Sequence, residues 1–279
     1  MTTLQLQQMA NTIRKDIVTA IHSAKSGHPG GSLSAADVFT WLYFEGLNID
    51  PQNPKDPDRD RFVLSKGHTA PGYYAAMARR GYFPVEELYT LRKQGTRLQG
   101  HPCMQYISGI DMSTGSLGQG ISAAVGMALG AKMTGKAFRV YTLLGDGELQ
   151  EGQVWEAAMF AGHRRLDNLT VIIDNNGLQI DGNVVDVCSP YPIDQKFQAF
   201  GFYVINVEDG NDMEQIREAF SHAKTVKGVP VAIVLKTVKG KGVSFMENQV
   251  GWHGTAPNDE QYVAAMEELE KAGQKLCQE

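Results

Sequence analysis

A chain of 279 residues with 42% hydrophobic and 20% charged content has the make-up of a globular protein able to bury a sizeable core. A formal net charge of −5 without a Lys/Arg run argues against a nucleic-acid or anionic-membrane surface, and no stretch reaches the ~18 apolar residues of a membrane span. Three widely spaced cysteines, Cys103, Cys188 and Cys277, suit a reducing compartment rather than a disulfide framework or zinc site, and with no apolar leader the expected location is the cytoplasm.

Leu6, Met9, Ile13, Ile17 and Ile21 recur at helical spacing and predict an amphipathic helix over 4–25. Ser26-Gly27-His28-Pro29-Gly30-Gly31 breaks it. Ser34 and Asp37 have the form of a capping box, which predicts the next helix over 34–46. After the Pro- and Asp-rich loop 51–60, Arg61 to Ser65 reads as a short strand, and Pro71 suits the first turn of a helix ending near Arg80. A helix is expected over 85–93. Residues 95–120 lack periodicity, and a loop so long inside a compact domain is usually functional. A small-residue helix follows over 121–132.

From there strands and helices alternate: strand 138–144, helix 153–163, strand 169–174, helix 194–200, strand 202–207, a helix begun by an Asn211/Glu214 capping box, and strand 229–236. A loop over 237–257 and a helix over 260–272 close the chain. Near-continuous apolar strands such as Val231 to Leu235 imply an α/β fold: a doubly wound, mostly parallel sheet with helices on both faces. No linker or repeat divides it, so 1–279 is expected to be one domain.

The chemistry concentrates at two strand ends. An apolar run ends in Gly145-Asp146-Gly147, and thirty positions after Asp146 another has ended in Asp174-Asn175-Asn176. In an open parallel sheet, ligands bind outside the carboxyl ends of the strands. Asp146, Asn176 and a backbone carbonyl in Gly177-Leu178 would offer oxygen ligands of the kind Mg²⁺ prefers, with Ca²⁺ a less demanding substitute, and the helix after Gly152 points its N-terminus at an anion. Each turn alone reads as an ordinary cap or turn; the pair at this spacing favours a metal and diphosphate site. Neither the P-loop pattern nor the dinucleotide-binding glycine pattern is present. Four of the seven histidines, His28, His68, His101 and His253, stand beside glycines in loops, which suggests a pocket with groups tunable near neutral pH.

Six stretches in this order resemble the N-terminal half of transketolase: Ser26 to Gly30, Arg61 to His68, Gly100-His101-Pro102, Thr114 to Gly120, Gly145 to Gly152, and Trp252 to Pro257. The resemblance implies a thiamine diphosphate-binding fold, with Asp146, Asn176 and the Leu178 carbonyl holding the metal, and His68, Gly115, Ser116, Leu117, Gly147, Asn176 and His253 holding the cofactor. It places His28, His101 and His253 on the substrate side. Family transketolases are more than twice as long and include a pyrimidine-binding domain that this chain lacks. The expectation is therefore one subunit of a split enzyme, active only with a separate C-terminal subunit carrying that domain. Such a complex would be a heterotetramer that moves a two-carbon ketol unit from a ketose, free or phosphorylated, to an aldose. Two other readings stay open: a component of another thiamine diphosphate enzyme, such as a deoxyxylulose phosphate synthase, and a non-catalytic diphosphate-binding regulatory subunit.

Overall fold

The computed structural model describes residues 1–278. Its centre is a five-stranded sheet in the order β1-β2-β3-β7-β6, formed by β1 (Arg61–Leu64), β2 (Val140–Gly145), β3 (Leu169–Asn175), β6 (Tyr203–Val207) and β7 (Val231–Lys236). All four pairings are parallel. A two-residue antiparallel hairpin, β4 (Leu178–Gln179) with β5 (Gly182–Asn183), stands apart. Successive strand side chains point to opposite faces, so each apolar strand feeds two cores. Tyr141, Leu143, Ile172, Ile233 and Leu235 belong to one. Val140, Leu144, Val171, Ile173, Ala232 and Val234 belong to the other.

The first core is covered by α1 (Thr3–Ala24), α3 (Ala36–Trp41), α4 (Ala70–Arg80) and α9 (Met213–Thr225), the second by α5 (Gln119–Met133), α6 (Gly152–His163) and α8 (Ile193–Ala199). The short α2 (Pro29–Ser34) packs on α1 and α4, and the short α7 (Val184–Cys188) follows β5. The expected doubly wound fold is what forms. The closing helix α10 (Asp259–Leu276) lies on α1. It starts at Asp259 because Asn258 and Gln261 form a reciprocal capping box, as Thr2 and Gln5 do for α1.

Three local expectations fail. Ser34 does not cap a helix: it ends α2, and its hydroxyl donates to Gly31 O at 3.0 Å and to Asp174 Oδ2 at 2.6 Å. Asp37 is taken by Arg14 and by Asn211 Nδ2 at 2.8 Å, so tertiary bonds outcompete the local cap and the 34–46 helix becomes α3 followed by a π-helical turn over Leu42–Gly46. The helix starting near 211 is capped by Asp212, which accepts from Glu214 N and Gln215 N, while the Asn211 side chain bridges Ser34 O and Val238 N. The segment expected as a helix over 85–93 is a short 3₁₀ helix, Val85–Thr90. Among the described residues no helix is long and apolar enough to cross a membrane, and Cys103, Cys188 and Cys277 are unpaired.

Candidate thiamine diphosphate site

Loops from several strands contribute to one cleft at the carboxyl end of the sheet. The turn after β1 carries Lys66 and His68, the turn after β2 carries Asp146 and Gly147, the segment after β3 carries Asn176 and Leu178, and the loop after β7 carries Lys239. The cleft encloses about 380 Å³. Parallel strands bring these loops together because all of them leave the sheet at the same end.

Asp146 is 2% exposed. Its carboxylate accepts from Gly177 N at 2.5 Å and Gly147 N at 2.8 Å. Burial, then the neighbouring Asp174, pushes its pKa up to about 6 against those bonds. A carboxylate desolvated in this way gains from a nearby cation. Asn176 donates through Nδ2 to Asp174 Oδ2 at 3.0 Å and presents Oδ1 to Leu178 N at 3.1 Å, and the Leu178 carbonyl receives Lys239 Nζ at 2.9 Å. Positive charge thus already seeks this oxygen-lined wall. Among the described residues no group of three His, Cys, Asp or Glu side chains converges as for a metal ion. One carboxylate, one amide and one carbonyl instead suit a hard cation that takes its remaining ligands from phosphate oxygens or water, as Mg²⁺ does. The residues present therefore fit a metal and diphosphate.

Facing that wall is a cluster of three imidazoles. The ring centroids of His28 and His68 are 5.1 Å apart, those of His28 and His253 5.5 Å, and those of His68 and His253 5.3 Å. Burial lowers the pKa of His28 to about 4 and of His253 to about 3, and holds His68 well below its ordinary value. All three rings are neutral at pH 7. Lys239 Nζ lies 2.9 Å from His253 Nδ1; with the amine donating, the ring proton of His253 rests on Nε2. Burial, then the charge of Lys66, depresses Lys239 to about 8. His28 Nδ1 is buried with no hydrogen-bond partner among the described residues, an atom left over for a ligand.

Of the residues singled out in the sequence, His28, His68, Gly115, Leu117, Asp146, Gly147, Asn176, Leu178 and His253 line the cleft. Ser116 and His101 do not. Ser116 is exposed and its carbonyl accepts from Gln119 N at the start of α5. His101 is exposed at the rim, its ring against Gly115, whose φ of +149° and lack of a side chain let the loop pass: a Cβ there would lie 3.1 Å from the imidazole. Sequence reasoning missed Lys66, Glu148, Asp174, Gln179 and Lys239. A signal existed for Asp174, a carboxylate closing an apolar strand expected to be buried on both faces. Lys66 and Lys239, beside glycines in loops, look solvated in the sequence, yet both are 2% exposed.

Residues 5–274 match the family model for the transketolase thiamine diphosphate binding domain. In class the chain is thus a thiamine diphosphate-binding α/β protein. It is 49% identical to the 6-deoxy-6-sulfo-D-fructose transketolase subunit of Clostridium sp. (strain MSTE9), over 97% of this chain and 98% of the relative. It is 41% identical to one of the subunits of the apulose-4-phosphate transketolase of Phocaeicola vulgatus, over 99% of this chain and 97% of that subunit. The solved transketolase of Campylobacter jejuni superposes with a TM-score of 0.91 at 34% identity, covering 97% of this chain but only 43% of that one. The chain belongs to the transketolase family, whose thiamine diphosphate binding domain it matches over nearly its whole length.

Proposed function

We propose that residues 1–279 act as one diphosphate-binding domain that, with a separate subunit carrying the pyrimidine-binding domain, moves a two-carbon ketol unit from a ketose to an aldose. The observation that carries this reading is the cleft itself, lined by the buried Asp146, the half-buried Asn176 and three neutral imidazoles. Bound thiamine diphosphate would supply the electron sink for carbon–carbon bond cleavage. Asp146, Asn176 and the Leu178 carbonyl would hold its Mg²⁺, with Ca²⁺ able to substitute, and Gly147, His68, Gly115 to Leu117 and His253 would orient the diphosphate and the adjoining ring. His28, His253 and, from the rim, His101 would accept and return hydroxyl protons of the sugar, a task for which imidazoles neutral at pH 7 are ready.

The subunit-sized relatives are named for a sulfo-sugar and for a sugar phosphate, which supports a sugar or sugar phosphate donor here. The same relatives favour transketolase over a deoxyxylulose phosphate synthase or a regulatory subunit. Two copies each of both subunits, working in the cytoplasm, complete the reading.

The isolated chain is expected to show no ketol transfer, and addition of its partner to restore it; turnover by this polypeptide alone would overturn the division of the active site. Light scattering of the mixture should give the mass of a heterotetramer, and a stable 1:1 mass would count against that assembly. In the reconstituted complex, Asp146→Ala should abolish metal-dependent thiamine diphosphate binding in calorimetry. Parental affinity in that variant would remove Asp146 from the metal site.

A further inference from the structure

We propose that Glu148 is a positioning residue of the cofactor site, a buried carboxylate that clasps three separate backbone turns and so sets the shape of the cradle. The inference rests on the reading of the cleft as a diphosphate site. Glu148 is 2% exposed and lies at the cleft wall. Its Oε1 accepts from Ser65 Oγ at 2.5 Å and from Gly118 N at 2.9 Å, and its Oε2 accepts from Gly145 N at 3.1 Å.

These donors are distant in sequence. Ser65 follows β1 and opens the turn that carries Lys66 and His68. Gly118, at φ +80°, closes the turn that carries Gly115 and Leu117 and leads into α5. Gly145 ends β2 immediately before Asp146. One side chain therefore holds together the histidine turn, the glycine turn and the metal turn, none of which contains a regular element of its own longer than a 3₁₀ turn.

The chemistry requires a carboxylate. Three donors converge on two oxygens, and bonds to an ionised acceptor are about twice as strong as those between neutral groups. A glutamine has the same shape but replaces one oxygen with an NH₂ group. Either orientation of that amide sets its N–H against a backbone N–H, that of Gly118 in one and that of Gly145 in the other, and the turn so repelled moves away from the wall. Because Glu148 spends its hydrogen bonds on backbone and Ser65, it acts on the cofactor through those turns.

The test uses the reconstituted two-subunit complex. Thiamine diphosphate affinity is measured by calorimetry with Mg²⁺, next to kcat and the sugar KM at saturating cofactor. Glu148→Gln should raise the cofactor Kd roughly tenfold or more, as loss of residues that orient ligands to a metal does, while the sugar KM stays at the parental value. Ser65→Ala should shift Kd in the same direction by less, and should add nothing further in the Glu148→Gln background, because both remove one clasp. A role in stability alone would lower the unfolding temperature of Glu148→Gln and leave Kd at the parental value, which overturns the proposal. Should Glu148→Gln not fold, Ser65→Ala decides, and an unchanged Kd there overturns it equally. Failure of the parental complex to bind thiamine diphosphate would instead refute the cofactor reading of the cleft, and this inference with it.

Discussion

At the scale of single residues, Asp174 gathers four side-chain donors. It is fully buried and accepts from Lys66 Nζ, Ser34 Oγ, Thr237 Oγ1 and Asn176 Nδ2. Burial pushes its carboxyl up, but the Lys66 charge and these bonds outweigh burial and hold it below the ordinary carboxylate value. The acid thereby fixes which way the Asn176 amide turns, leaving Oδ1, already on Leu178 N, as the pole a cation would meet. Removing one member of such a buried pair strands the other charge, so Lys66→Met is expected to destabilise the chain by about 3–5 kcal/mol. Urea unfolding checks this, and Lys66→Met combined with Asp174→Asn should recover part of the loss. A loss under about 1 kcal/mol in the single variant would show that the pair is not what holds this end of the sheet. The sequence marks Asp174 as a strand-terminal acid but is silent on Lys66, because a lysine beside a glycine looks the same whether its turn faces water or a strand end.

At the scale of elements, periodicity and caps located most helices, and the two capping failures share one cause. Asn211 and Ser34 have the local chemistry of caps, yet each finds a better partner across the fold: Asn211 reaches Ser34 O and Asp37, and Ser34 reaches Asp174. The true cap of α9 is Asp212, and Asp212→Ala should cost about 1 kcal/mol in thermal or urea unfolding. Close packing between elements is invisible in the sequence as well. Gly162, near the end of α6, faces the chain just past α8 so closely that a Cβ would lie 1.7 Å from the Phe200 carbonyl oxygen. Backbone cannot move as a side chain tip can, so Gly162→Ala is expected to lose about 1–3 kcal/mol despite alanine's better helix propensity. A gain in unfolding temperature for that variant would mean that α6 and α8 slide apart freely.

At the scale of the whole molecule, three imidazoles collected from three distant loops, at 28, 68 and 253, give the fold a pH dependence. Their folded pKa values lie below the ~6.5 of an unfolded histidine. Below that pH the unfolded chain binds protons that the folded chain refuses, so stability is full above it and falls as pH drops, for His28 until about 4. Asp146, which takes up its proton near pH 6 in the folded chain, offsets part of this, but three histidines outweigh one carboxylate, so the unfolding temperature of the isolated chain should decline between about pH 6.5 and pH 5, and His28→Asn should make that decline shallower. An equal slope in parent and variant would show that His28 protonates freely in the folded state.

The sequence by itself determined the layer architecture and the location of the chemistry. Apolar strands alternating with helical periodicities admit little besides a parallel sheet covered on both faces, and such a sheet sends its loops to one end. The glycine-flanked Asp146 and histidines carried their own signal because glycine next to a polar side chain has a backbone reason to be there. Only the tertiary structure decided which of these residues share a cleft, why His101 and Ser116 stand at its rim, and how buried groups such as Lys66, Asp174, Lys239 and Glu148 hold its walls. Local propensities report what one turn of chain prefers, whereas a buried charge is tolerated only where partners from other segments satisfy it, and those partners are brought in by the sheet.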